Sequence, residues 1–516
     1  MKVIHHTGEP DILIPAEGTY PYVRGGVSSW IAQLIAGLPQ YTFGIAFIGS
    51  RTIDYSSKPL FEFPKNLVYV VEVFMFDQEK KPPIKKMNGN PKEFEKIEKL
   101  YQWFREEKKE LPFPKEIKSL DFYLNTIDES MFFYSREAWK FITQKNQKNC
   151  SQVPFIDYFW TVRNIHLPIW KMAKLAKFIG TKGKIIHAPS TGYAGFLAAL
   201  ISHDQSKPFI LTEHGIYTKE RKIDLMSSVT HLYSKLDLFT ESGEENYIQN
   251  MWINFFEGLG KMSYNRANPI LSLFGVAKET QIAYGAKAEL CSVIPNGVDI
   301  HTLGATLKNR PKGVPQIITL IGRVVSIKDI KTFIRAIRIT INALPNVEAW
   351  IVGPKDEEKT YAQECYELID ILDLKDKIKF LGFQKITDIL PKSGILTLTS
   401  ISEGMPLVIL EGFAAGVPCV ATDVGSCKEL IYGGEQSKDK ALGIAGKVCQ
   451  IANVEELANG YIEFLSDEAK WLSAQKVGLQ RVKQFYTQEL FLKNYQRVYE
   501  ETFAQINNPL DTSWQE

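Results

Sequence analysis

From Pro315 onward the chain alternates short runs that are apolar throughout with amphipathic stretches, and few folds accept that pattern. The runs are QIITLIG, VEAWIVG, KIKFLGF, ILTLTS and PCVATD, with a helical stretch from about Asp329 and another through Tyr361 between them. A strand that is apolar at every position has no polar face to offer to water, so both its faces are buried, as in a parallel sheet between helix layers. The alternation predicts βαβ units and a doubly wound domain. The earlier half repeats the theme less regularly in DILIPAEG, TFGIAFIG, KIIHAPS, PFILTEHG and CSVIPNG, each leaving its strand at Gly, Ser, His or Asn. Ligands of open α/β sheets bind at such carboxyl ends. After Gly25 and Gly26, the residues Val27, Trp30, Ile31, Leu34, Ile35 and Leu38 keep helical spacing, so a phosphate-capable glycine loop feeds a helix there.

A length of 516 residues with 45% apolar and 23% charged content exceeds one core and suits two or more globular domains. Lys plus Arg total 61 against 59 for Asp plus Glu, a balance that gives no argument for nucleic acid as partner. The N-terminus reaches Glu9 and Asp11 before any long apolar run. The longest apolar stretch, Leu407 to Ala421, is broken by Glu411 and Pro418, so the expectation is a cytoplasmic protein without a membrane span. Six scattered cysteines with no CxxC favour reduced thiols over disulfides or a zinc site. Residues from about 77 to 170 break the rhythm: EKKPPIKK and FREEKKE are charge-dense and YFWTVRNIHLPIW is aromatic. That composition reads as an inserted helical subdomain or lid, or equally as a solvated helical decoration.

The chemistry concentrates in Ser402 to Phe413, where Glu403 and Glu411 bracket a Gly404-Met405-Pro406-Leu407 turn that opens an apolar helix. Pro406 suits the first helical position, where no N–H is needed, and the free backbone donors of Gly404 to Leu407 would then meet an anion or hydroxyls. Glu411 should fall nearly two turns in, at most about 12 Å along the axis, a separation that matches a sugar ring and a ribose rather than two acids on one atom. Arg323 and Lys328, in GRVVSIKD after the first strand of the second domain, bring a guanidinium fork and an ammonium suited to a diphosphate. His214, closing the strand of TEHG, is a candidate for the reaction centre; His187 is a weaker one. Gly258-Leu259-Gly260-Lys261 lacks the spacing and hydroxyl of a P-loop, and neither GxGxxG after a strand nor a GxSxG elbow with a suitable triad occurs.

These features together resemble the retaining GT-B glycosyltransferases of family 4. EGTYPYVRGGVSSW, STGYAG, LTEHGIYTKERKIDL, IPNGVD and TDVGSCKEL are similar, more closely, to the PelF-like members, cytosolic glycosyltransferases of Pel exopolysaccharide assembly associated with UDP-glucose. The resemblance implies an α/β fold of two Rossmann-like domains facing a central cleft. They would be residues 1–300, on the acceptor side and carrying the helical insertion of about 77–170, and 301–485, for the nucleotide-sugar. A helix in 486–516 would return to the first domain. Glu403 with the backbone of Gly404, Met405, Pro406 and Leu407 would hold the donor sugar, Glu411 the ribose, and Arg323 with Lys328 the diphosphate. Gly25 and Gly26 would close on the phosphates, Asn296 of IPNGVD would contact substrate, and His214 would lie by the transferred sugar. The implied reaction is hexosyl transfer, glucose foremost, from a UDP-sugar to a glycan with retention and with neither metal nor other cofactor. A membrane polysaccharide synthase is the implied partner. A GT-B epimerase or phosphorylase, or a sugar-nucleotide-binding scaffold of such a synthase, are the alternatives. Within that family this chain departs in its MKVIHHTGEP leader and in Pro15-Ala16.

Overall fold

The computed structural model describes residues 1–77, 87–105, 114–222, 244–434 and 437–507. The first sheet holds β1 (Lys2–His6), β2 (Ile12–Glu17), β3 (Phe43–Gly49), β4 (Leu67–Phe74), β5 (Ile185–Ala188), β6 (Phe209–Glu213), β7 (Ile270–Ser272) and β8 (Cys291–Val293). Their order is β1-β4-β3-β2-β5-β6-β7-β8. From β4 through β6 the neighbours run parallel, and β1 closes the edge antiparallel to β4. Three of these strands escape the sequence reading, β7 because it is only three residues long. β1 is a half-exposed edge with two histidines, and β4 has no glycine or histidine at its exit to announce a loop.

β2, β3 and β4 are buried along nearly their whole length, as their unbroken apolar runs require. Pro15 is accommodated inside β2 opposite Ala46, because pairing between β2 and β5 stops at Leu13. The sheet therefore splays between β2 and β5 beyond that point. With β2 as first strand the order reverses at this pair, so the topological switch point lies outside Glu17 and Ala188.

The second sheet is β9 (Ile317–Ile321), β10 (Glu348–Val352), β11 (Ile378–Gly382), β12 (Ile395–Leu398), β13 (Cys419–Thr422) and β14 (Gly446–Cys449). All of its pairs are parallel, in the order β11-β10-β9-β12-β13-β14. Counted from its own first strand, this is the doubly wound order of dinucleotide-binding sheets, with its switch point between β9 and β12.

The chain divides into two compact units. The first is Met1–Leu271, Thr280–Ser292 and the chain from Gln496; the second is Ser272–Glu279 and Val293–Tyr495. The boundary thus falls at the ends of β7 and β8 rather than at 300, since the first sheet ends with those strands. The last helix, Gln488–Asn507, joins the first unit from Gln496, where Tyr499 is fully buried against His187, Tyr41 and Phe43.

Between β4 and β5 stand the helices Pro91–Arg105, Arg136–Asn149 and Phe155–Ile179 with shorter ones among them. This insertion is a packed subdomain rather than a solvated decoration, and it runs past 170 to Ile179. Trp103, Phe132, Ile165 and Trp170 share one core with Leu13, Ala46 and Phe196. Trp170 satisfies its buried indole N–H on the Ile127 carbonyl at 2.8 Å. EKKPPIKK and most of FREEKKE lie outside the described residues. All six cysteines are buried and free. No described helix is long and apolar enough to cross a membrane.

Candidate active site

In the second unit the loops leaving β9 and β12 are stitched together at the switch point. Lys328 ends a single 3-10 turn, Ser326–Lys328, and its Nζ meets Glu403 Oε1 at 2.5 Å. Ser400 Oγ donates to the same oxygen at 2.5 Å, while Thr399 Oγ1 donates to the Lys328 carbonyl at 2.8 Å. The Ile401 amide donates to the Ile327 carbonyl at 2.9 Å. Both charged side chains are mostly but not wholly buried, at 22% and 16% exposure, so the pair remains reachable by a ligand. From the exit of β13, Gly425 closes on this loop at φ +53, and a Cβ there would sit 2.0 Å from the Gly404 carbonyl oxygen. Only glycine fits.

The helix expected after the turn is Leu407–Ala414, and here two expectations need correction. Pro406, with ψ of 107°, stands outside the helix as its N-cap instead of being its first residue. Glu411 is therefore four residues past Leu407, about 6 Å at 1.5 Å per residue, roughly one turn rather than nearly two. No side chain caps this helix. Among the described residues no acceptor meets the amides of Gly404, Met405, Leu407 or Val408, which leaves a cluster of donors at a helix's positive end. The Glu411 carboxyl has no protein partner among the described residues either, and burial pushes it up to about 7. Asn296 is brought to the same loop: its amide donates to Met405 Sδ at 3.3 Å, and its own Oδ1 is buried without a partner among the described residues.

Arg323 does not join that cluster. Its Nη1 lies 2.6 and 2.7 Å from the two oxygens of Glu357, and both residues are about half exposed. Glu358 beside it accepts from the Ser326 amide at 2.9 Å. The loop after β10 thus lends two carboxylates to the loop after β9, a contribution that sequence reading missed because no local pattern marks it.

In the first unit, a cavity of about 320 Å³ opens at the other switch point, among Glu17, Thr19, Ser50, Ser190, His214 and Arg221. His214 directly follows β6, packs edge-on against Trp30 at 4.7 Å, and has its Nε2 buried without a partner among the described residues. Burial holds it neutral, down to about 3. Thr19 Oγ1 is a second orphaned polar atom there. His187 is instead spent on the fold, between Tyr499 Oη and Thr212 Oγ1 at 2.8 Å each. Gly25 is the N-cap of the helix Gly26–Gly37, as the glycine loop suggested, and a Cβ on either Gly25 or Gly26 would meet nothing within 4 Å. Protein packing does not demand these glycines.

Sequence reasoning also missed two acids. Glu17 receives the amides of Tyr193 and Ala194 at 3.0 and 3.3 Å and the Tyr217 hydroxyl at 2.8 Å. Glu213, 1% exposed, takes hydrogen bonds from Thr191, Tyr264 and Gln281. Burial raises both carboxyls despite these partners. A strand ending in Glu was the available signal in each case.

Known proteins place this geometry. The model described as "Domain of unknown function (DUF3492)" matches residues 10–289, more than half of the chain. The chain belongs to that family. Residues 307–478 of this family member match the model of glycosyl transferases group 1. A stretch of 143 residues is 27% identical to N-acetyl-alpha-D-glucosaminyl L-malate synthase of Bacillus anthracis, over 28% of this chain and 35% of the relative, so the match spans about a third of that relative's length. Over 95% of this chain and 99% of theirs, two solved structures share its fold. Anabaena Alr3699/HepE, solved in complex with UDP and glucose, has 15% identity and a TM-score of 0.56. Sucrose-phosphate synthase from Thermosynechococcus elongatus has 14% identity and a TM-score of 0.57. At such identities the likeness is one of fold: two Rossmann-like α/β domains, as in GT-B glycosyltransferases.

Proposed function

We propose that this group 1 member transfers a hexose, glucose foremost, from a UDP-sugar to a glycan acceptor with retention of configuration, in exopolysaccharide assembly of the Pel type. The observation that carries this reading is the cluster of unpaired amides from Gly404 to Val408 set between the Lys328–Glu403 pair and the buried, partnerless Glu411. Donors at a helix's positive end suit phosphate oxygens. A carboxyl held without partners suits the two hydroxyls of a ribose, and one anchored by Lys328 and Ser400 can turn its second oxygen to hexose hydroxyls. That the HepE structure was solved with UDP and glucose, and that a relative of Escherichia coli is named as a UDP-Gal galactosyltransferase, supports the sugar-nucleotide reading.

As the sugar–phosphate bond lengthens, negative charge grows on the departing diphosphate. Lys328, released from sole pairing with Glu403, and the fixed amides stabilise it more than the ground state. Arg323 adds to this when it exchanges Glu357 for a phosphate oxygen. The departing oxygen then takes the proton of the incoming hydroxyl on the same face, without a carboxylate nucleophile or a metal.

A thermal-shift screen of UDP-, GDP- and ADP-sugars, followed by mass spectrometry of the products with the preferred donor, tests this. Release of UDP with a glycosylated acceptor is expected. An epimerised nucleotide-sugar, or binding without turnover, would replace the proposal by the epimerase or the scaffold reading.

A further inference from the structure

A separate cavity of about 250 Å³ lies in the first unit between the helical insertion and the helix Glu244–Arg266, and nothing in the proposed reaction uses it. Its rim carries three carboxamides, Asn149 at the end of one helix and Asn250 and Asn254 one turn apart on the helix Glu244–Arg266. Among the described residues none of these side chains has a hydrogen-bond partner in the protein. The floor is aromatic. Phe104 and Phe255 meet at 5.5 Å, and His166 stacks on Tyr101 with rings parallel to 1° at 5.1 Å. His166 is buried and held down to about 4, and its Nδ1–H donates to the Val162 carbonyl at 2.7 Å, leaving Nε2 as an acceptor.

From this lining we infer that the insertion and the helix Glu244–Arg266 together hold a second ligand site, for one ring of a neutral saccharide. Among the described residues no Lys, Arg, Asp or Glu lines the cavity, so an anionic nucleotide, sugar phosphate or uronate would find no counter-charge from them. Free carboxamides each offer donors and an acceptor, the complement of hydroxyls that do both. Aromatic faces carry negative quadrupoles that the C–H bonds of a pyranose meet. The Tyr101–His166 stack is closed on itself, which leaves no slot for a flat base to enter between them. The volume lies below the ~300–1,000 Å³ of pockets for drug-sized ligands, which suits a single ring.

The inference does not rest on the transfer reaction: a chain with no turnover would still bind sugar here. The test is saturation-transfer NMR and calorimetry on the full chain, with UDP present in excess to occupy the donor site. The probes are D-glucose, N-acetyl-D-glucosamine and D-glucuronate. Neutral sugars should bind with millimolar affinity and glucuronate more weakly. Asn250→Ala, on the exposed rim, and Asn254→Ala should each weaken the neutral sugars about tenfold, the worth of one hydrogen bond, with circular dichroism unchanged. Absence of binding at about 50 mM, well above the millimolar range expected, would overturn the inference. So would unchanged affinity in both variants, or tighter binding of glucuronate than of glucose.

Discussion

The same turn occurs once in each unit, after the fourth strand of the doubly wound order, and the two copies are finished in opposite ways. In the first unit it leads from β5 into the helix Gly192–Gln205, and Glu17, from the end of the first strand, puts its carboxylate on the opening amides Tyr193 and Ala194. In the second it leads from β12 into Leu407–Ala414, where the amides stay open and the first strand's loop sends the cation Lys328 instead. A carboxyl of the chain has closed one helix terminus; the other keeps its positive end for a ligand. One fold can thus make a brace or a binding site from the same topology, according to whether the first strand presents an acceptor or a cation.

Breaking the brace should have the largest effect. Glu17→Ala strands a buried hydroxyl and two amides and is expected to lower stability by about 4 kcal/mol, read by urea denaturation, without altering UDP affinity of whatever remains folded. A loss below about 1 kcal/mol, the level of an exposed pair, would deny the bracing role. On the open copy, Lys328→Ala should lower turnover by on the order of 10²-fold, about 3 kcal/mol in the barrier, with a melting temperature close to that of the unmodified chain. Full activity in this variant would dissolve the contrast between the two turns.

Glu411 sharpens the comparison through pH. Its carboxyl is raised by burial to about 7 from its ordinary value of 4.5. Between these values the folded chain keeps a proton that the unfolded chain has lost. The contribution is therefore fully present below about pH 4.5 and is lost as pH rises through about 7. Denaturation at pH 5 and pH 8 should show Glu411→Gln gaining on the unmodified chain by about 2–3 kcal/mol at the higher pH, and losing UDP affinity. A pH-independent difference would mean that the carboxyl is not held in that state.

The smallest effect belongs to Arg323. Its exposed pair with Glu357 should contribute under about 1 kcal/mol to stability, so Arg323→Ala should melt nearly normally. Any fall in turnover without a fall in stability then measures its transfer from Glu357 to the diphosphate. Unchanged turnover would leave Arg323 as a surface ion-pair residue.

Five of the six strand positions in the second unit were legible because a run such as IITLI, apolar on both faces, has no other soluble home, whereas the short edge strand β14 went unread. Glu403, Lys328 and the glycine loop could be located for the same reason: strand ends in an α/β sheet are where ligands bind, and these residues sit at strand ends. The edge strand β1 and the acids Glu17 and Glu213 were not legible, since a half-exposed edge carries no strong pattern and a Glu closing a strand reads as solvent-facing.

What the sequence alone determined is the pair of doubly wound sheets and the short list of chemically capable loops, because periodicity and punctuation are local properties. Which partner each charge takes was decided only by tertiary structure. Arg323 went to Glu357 and Lys328 to Glu403, Glu411 was left alone, and Glu17 closed a helix that begins far along the chain. Pairing depends on which loops the strand order brings within a few ångströms. That order, reversed between β9 and β12 and between β2 and β5, is set by the packing of helices on both faces of each sheet, and no window of sequence contains it.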